Sequence, residues 1–136
     1  MLMQEFVGQV QRDARLPNPE QALNATRATL ETLAERLGAD RSRHLATRLP
    51  EGIRQYLYGW VGVAQNFSSA EFLKRISARE GVRPPDSVSH ARAVLDTLER
   101  AVTAGEIRNV LERLPTDYAR LFPRTRDRLR PYGVGF

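Results

Sequence analysis

The chain repeats itself, and the repeat narrows its possible folds more than any other feature. Residues 6–57, from FVGQVQ to QYL, line up with residues 72–122, from FLKRIS to RLF, with a single gap. At an offset of 66, Phe6 pairs with Phe72, Val10 with Ile76 and Pro19 with Pro85. After a one-residue deletion the offset becomes 65. It then pairs Arg27 with Arg92, Leu30 with Leu95, Leu33 with Leu98, and Arg48-Leu49-Pro50 with Arg113-Leu114-Pro115. Self-similarity at a fixed period marks a duplicated structural unit whose apolar faces are buried by its neighbour. Two copies packed face to face around one core are therefore expected.

Apolar spacing within each copy is helical. Phe6, Val7 and Val10 match Phe72, Leu73 and Ile76 in a first helix. The second and longest helix carries Val88, Ala91, Leu95, Leu98 and Val102, spaced 3, 4, 3, 4, against Leu23, Thr26, Leu30, Leu33 and Leu37. Leu45 and Leu49 stand against Ile107, Val110, Leu111 and Leu114 in a third, and Ile53, Tyr56, Leu57 and Trp60 against Tyr118, Leu121 and Phe122 in a short fourth. Each such stripe buries one side of an amphipathic helix. Ser68 with Glu71 and Thr103 with Glu106 have capping-box spacing, Asn18-Pro19 places a cap before a first-turn proline, and Asp40 is read as a further cap. Pro50 and Pro115 should end the third helices. No stretch alternates as a strand does. The expected fold is all-α: a helical bundle in one domain over 1–136, with pseudo-twofold-related repeats of three to four helices at about 3–60 and 68–122. The linker is 58–66 and the tail 123–136.

Composition sets the remaining bounds. At 136 residues, with 41% hydrophobic and 27% charged residues, the chain matches a globular protein that needs no metal or disulfide to fold. It has no cysteine, which excludes disulfides, thiolate catalysis and cysteine-bearing zinc sites. Glu5 interrupts the N-terminus before an apolar run can build, and the YLYGWVGVA stretch is far below the roughly 20 residues of a membrane span. A soluble, cytoplasmic protein with no membrane association is expected. The net charge is +5, but five arginines and Asp127 place +4 of it from residue 120 onward, leaving +1 for residues 1–119.

The combination EFLKRISAREGV, HARAVLDTL and VLERLPTDYARLF resembles the bacterial family known as domain of unknown function 2267. The resemblance covers about residues 3–122, and the doubled Leu-Pro step is its most specific element. It implies a small all-helical fold and a bacterial cytosolic setting. No activity, cofactor or catalytic residue comes with it.

Motifs for chemistry are sparse. His44 and His90 fall at non-matching positions of the two copies, so solvent-facing histidines are expected rather than a metal pair. Ser89, His90 and Asp86 are neighbours on one helix whose side chains diverge. Glu31 and Glu35 are spaced like solvated helix-face charges, with Arg27 four residues before Glu31. No Walker loop, G-x-S-x-G or dinucleotide fingerprint occurs. Catalytic and metal residues are therefore not expected, nor a cofactor.

The arginines carry the remaining candidates. Arg27/Arg92, Arg43/Arg108 and Arg48/Arg113 keep their place in both copies, and Arg48 and Arg113 are candidate anion contacts, although their stems could equally cover the core edge. A helix-turn-helix reading finds Arg108, Asn109 and Arg113 in one third helix, offset by Glu106 and Glu112, and Arg41, Arg43, His44 and Arg48 in the other. In the tail, Arg120, Arg124, Arg126, Arg128, Arg130, Tyr132 and Phe136 could contact a partner or nucleic acid. The tail could instead lie over the bundle, since its YGVGF matches YGWVGV after the first copy. The leading expectation is a non-enzymatic module that binds an unidentified protein or a second copy of itself. The alternative is a weak, salt-dependent nucleic-acid binder.

Overall fold

The computed structural model describes the backbone of residues 1–128 and the side chains of residues 1–125. The chain is all-helical there, with no strand among the described residues. In chain order the helices are α1 (Met3–Asp13), α2 (Pro19–Leu37), α3 (Ala39–Ala46), α4 (Gln55–Tyr58), α5 (Ser69–Glu80), α6 (Asp86–Ala101) and α7 (Ala104–Leu111). A 3₁₀ turn (Thr116–Leu121) and α8 (Pro123–Arg128) follow.

Local chemistry explains most of the boundaries. Before α1, the Leu2 amide donates to the Glu5 carboxylate at 2.8 Å. The Asn18, Ser68 and Thr103 side chains accept the amides of Gln21, Glu71 and Glu106, each filling one orphan donor at a helix start. The two expected capping boxes are half formed, because the Glu71 and Glu106 carboxylates turn to Arg75 and His44 instead. Asp40 does not cap α3. That helix begins two residues earlier than such a cap implies, after Gly38 at φ +89°, where the Ala39 amide donates to the Gly62 carbonyl at 3.0 Å. The third helices end before their prolines. Arg48 and Leu49 after α3, and Arg113 and Leu114 after α7, bond to carbonyls three residues back, tightening the exit into the Leu-Pro step.

Helix α2 is the axis of the bundle and packs against α1, α3, α4, α5 and α6. Its apolar residues Leu30 and Leu33 join Phe6, Phe72, Leu95 and Leu98 in one continuous core with no residual exposure. Burying a side chain of this size contributes roughly 1.5–3 kcal/mol, so the core forms only when α1, α2, α5 and α6 meet. Between Tyr58 and Ser69 the chain is non-helical and runs along the end of α2. The Gly62 carbonyl accepts from Ala39, and the Gln65 amide donates to the Glu35 carbonyl at 2.9 Å. The first six residues of the expected tail are helical instead. The amides of Arg124 and Thr125 and the Thr125 hydroxyl donate to the buried Glu99 carboxylate, which anchors the start of α8 on α6.

Gly38 is the tightest point of this path. A β-carbon there would sit 2.8 Å from the Ala64 backbone nitrogen, in a left-handed backbone that side chains rarely adopt. Gly38→Ala should lower stability by about 2–3 kcal/mol, within the range for a strained residue. Gly59, which has φ −64° and open space at its β-carbon, should tolerate alanine with little change. Urea denaturation of the two variants checks the contrast.

Candidate functional site

A cleft of about 640 Å³ opens where residues 61–64 pass the start of α3. Arg41 and Arg43 on α3 and Arg113 after α7 line it, together with Asp40 and an apolar side made by Val61 and Val63. Three arginines against one aspartate give the described lining residues a formal charge of +2. Arg43 pairs with the fully exposed Asp40 at 3.4 Å, a surface pair of little energetic weight. The Nε of Arg41 is enclosed without a hydrogen-bond partner. Val61 and Val63 are 81% and 85% exposed, and Tyr58 nearby is 43% exposed. The two valines give this side of the cleft an exposed apolar edge.

Of the residues singled out from sequence, Arg113 reaches this cleft and Arg48 does not. Arg48 instead lies 3.9 Å from the buried Glu106, which also holds His44 at 2.9 Å, so these residues bridge α3 and α7. In the tail, Arg124 pairs with Asp96 on α6 at 2.8 Å, and Arg120 donates to the Ser69 hydroxyl at 3.3 Å. The side chains of Arg126 and Arg128, and the whole of Arg130, Tyr132 and Phe136, lie outside the described residues.

Two expectations for charged residues are overturned. His90 is buried rather than solvent-facing, because α5 ends against α6 and its Nδ1 meets the Glu80 carboxylate at 2.5 Å. Burial pushes the Glu80 carboxyl above the usual carboxylate range, and the hydrogen bond from His90 opposes that rise. Glu35 is not a solvated face charge, because α5 covers its side of α2. Arg79 grips it with two donors, Arg75 adds a third at 3.3 Å, and the Arg79 hydrogen bond holds its carboxyl below the usual range. The expected pair of Arg27 with Glu31 is present at 3.1 Å. Ser89 and Asp86 are exposed while His90 is buried, so the three do not form a catalytic set.

Two apolar grooves lie away from the cleft. One, of about 550 Å³ between α5 and α6, includes Leu73, Val82 and Val88; the other, of about 300 Å³ between α1 and α2, includes Met3, Val7 and Leu23. Among the described residues no helix is long and apolar enough to cross a membrane.

The family profile described as an uncharacterized conserved protein, DUF2267, matches residues 3–121. The chain belongs to the DUF2267 family. No curated protein matches it. Every residue lining the basic cleft falls within the part of this DUF2267 chain that defines the family, whereas Arg124 and the later tail candidates fall beyond it.

Sequence reading missed Val61 and Val63, which it assigned to a linker, and named Arg41 and Arg43 as basic residues of a candidate recognition helix rather than as the lining of a cleft. No local motif marks the cleft, because its lining comes from three separate stretches, 37–43, 61–64 and Arg113, which are remote from one another in sequence.

The Glu35 cluster yields a pH prediction. A carboxylate with a lowered folded pKa contributes stability that is complete above its unfolded value and lost as pH falls through the folded one. Glu35→Gln should therefore reduce stability at pH 7 by about 2 kcal/mol, the scale of hydrogen bonds to a charged group. It should also flatten the loss of stability below about pH 4. Thermal unfolding of both proteins from pH 7 down to pH 3 measures the two effects together.

Proposed function

We propose that this DUF2267 chain is a non-enzymatic protein-interaction module, built of two related helical units, that binds an acidic, apolar-bearing segment of a partner protein in the basic cleft. The observation that carries this reading is the juxtaposition of exposed Val61 and Val63 with Arg41, Arg43 and Arg113 on one face. Apolar side chains beside a net positive charge favour a partner that supplies the complementary pattern. Three carboxylates with shifted titration, Glu35, Glu80 and Glu99, hold helices together and do not line this cleft.

Support for two related units comes from matching contacts at the repeat offsets. Thr32 donates to the Ala28 carbonyl, and Thr97 to that of Ala93, both at 2.8 Å. Glu35 of α2 pairs with Arg79 of α5, and Arg100 of α6 pairs with Asp13 of α1 at 3.6 Å, the same positions with the charges exchanged. The grooves beside Leu23 and Val88 also fall at corresponding positions. The nucleic-acid reading has less support, since Arg120 and Arg124 already have partners within the bundle.

A fluorescein-labelled peptide alternating glutamate with leucine should bind the full chain, and more weakly as salt rises. The double variant Val61→Ser/Val63→Ser should weaken it about tenfold, or 1.4 kcal/mol, with the unfolding temperature unchanged. Anisotropy that does not change on adding the protein, or equal binding by the variant, would contradict the reading.

A further inference from the structure

We infer that the cleft formed by Arg41, Arg43 and Arg113 seats a phosphoryl dianion, carried either by a side chain of the partner or by a small phosphate ester. This inference rests on the proposed docking face for its location and goes beyond it in naming the recognised group.

Three observations favour a phosphoryl group over a carboxylate. First, the described lining residues include three arginines against Asp40, and the resulting formal +2 matches a dianion better than a monoanion. Guanidiniums present planar pairs of donors suited to phosphate oxygens, and a tetrahedral group can accept from several directions at once. Second, Arg41 lines the cleft and its Nε has no hydrogen-bond partner among the described residues, so no acceptor within the bundle holds the guanidinium at that atom. Among the described residues Arg43 is held by an exposed partner at 3.4 Å, a contact that a dianion can outcompete.

Third, α3 starts at the edge of this space. Of its first four amides, that of Ala39 donates to Gly62 and that of Ser42 to Gly38. Asp40 and Arg41, which lie between them, line the cleft. The start of the helix adds partial positive charge to a site the arginines already define. The cleft volume of about 640 Å³ accommodates a phosphorylated residue or a small ester with an organic body against Val61 and Val63.

The test uses the full chain and five probes: inorganic phosphate, phenyl phosphate, and one peptide carrying phosphoserine, serine or glutamate at its centre. Binding is read by calorimetry at pH 7.5. Phenyl phosphate and the phosphoserine peptide should bind, and the serine peptide should bind at least tenfold more weakly. Arg41→Gln and the surface variant Arg113→Gln should each reduce phosphate binding about tenfold, while Arg92→Gln, an exposed arginine elsewhere on α6, should not. Arg113 is exposed, so its variant keeps the test valid if Arg41→Gln fails to fold. The phosphopeptide binding more tightly than phenyl phosphate would identify a partner's side chain as the source; equal affinities would identify a free ester.

Glutamate and phosphoserine peptides binding equally would overturn the phosphoryl inference while leaving the docking face intact. Phosphate binding that survives both cleft substitutions would overturn it as well. Failure of every probe would overturn the inference and the docking reading together.

Discussion

The carbonyl of Phe67 accepts from two buried donors, the Arg36 Nε at 3.0 Å and the Tyr118 hydroxyl at 2.8 Å, and the rest of the fold is organised around that point. A buried guanidinium is tolerated only when its donors are met and its plane is covered. Here the Phe67 and Tyr118 rings lie 5.8 and 5.7 Å from its carbon, and Tyr118 packs edge-on against Phe72 at 5.3 Å. Burial pushes the Tyr118 phenol up to about 12, so it remains a hydrogen-bond donor throughout the physiological range. One carbonyl thus joins the end of α2, the start of α5 and the 3₁₀ turn.

That node also shapes the exposed face. The segment from Gly59 to Phe67 is held by Ala39 at Gly62, by Glu35 at Gln65 and by Arg36 at Phe67. Trp60 adds a hydrogen bond to the Val63 carbonyl at 3.0 Å. With so many backbone attachments a non-helical stretch keeps a defined path, and the cost of ordering it is met before any ligand arrives. Val61 and Val63 are the side chains these attachments leave outside. The two valines and the arginine-lined cleft therefore belong to a framework of paired helices rather than to a loose connection. Asp117 contributes at the same end by accepting the Ser69 amide and hydroxyl, and the backbone donor holds its carboxyl below the usual range.

The helices were legible because their cues are local. Apolar spacings of 3 and 4 around Leu30, Leu33, Leu95 and Leu98, and starts at Asn18, Ser68 and Thr103, depend on residues within a turn or two. Glu35 and His90 were misread for the converse reason: an i, i+4 pattern reports neighbours on one helix and not which side a second helix covers. A usable signal was available at Arg36, whose counterpart at the repeat offset is Ala101. A departure to a large charged residue at a paired position marks a place where the copies differ in what they must bind. The cleft left no such trace, because it depends on how α3 meets the end of α7 and on the backbone of 61–64. Among the tail candidates, Arg120 and Arg124 were visible as charges, while the acceptors that occupy them, Ser69 and Asp96, could be assigned only in three dimensions.

The proposed recognition lies on the face of α3 and residues 61–64 rather than on the C-terminal arginines. Amide chemical-shift mapping of the full chain during titration with an acidic, apolar peptide tests that placement most directly. The largest changes are predicted at Gly38–Arg43, Val61–Ala64 and Arg113, with little movement beyond residue 120. Changes confined to residues 120–136, with the α3 amides unmoved, would contradict it.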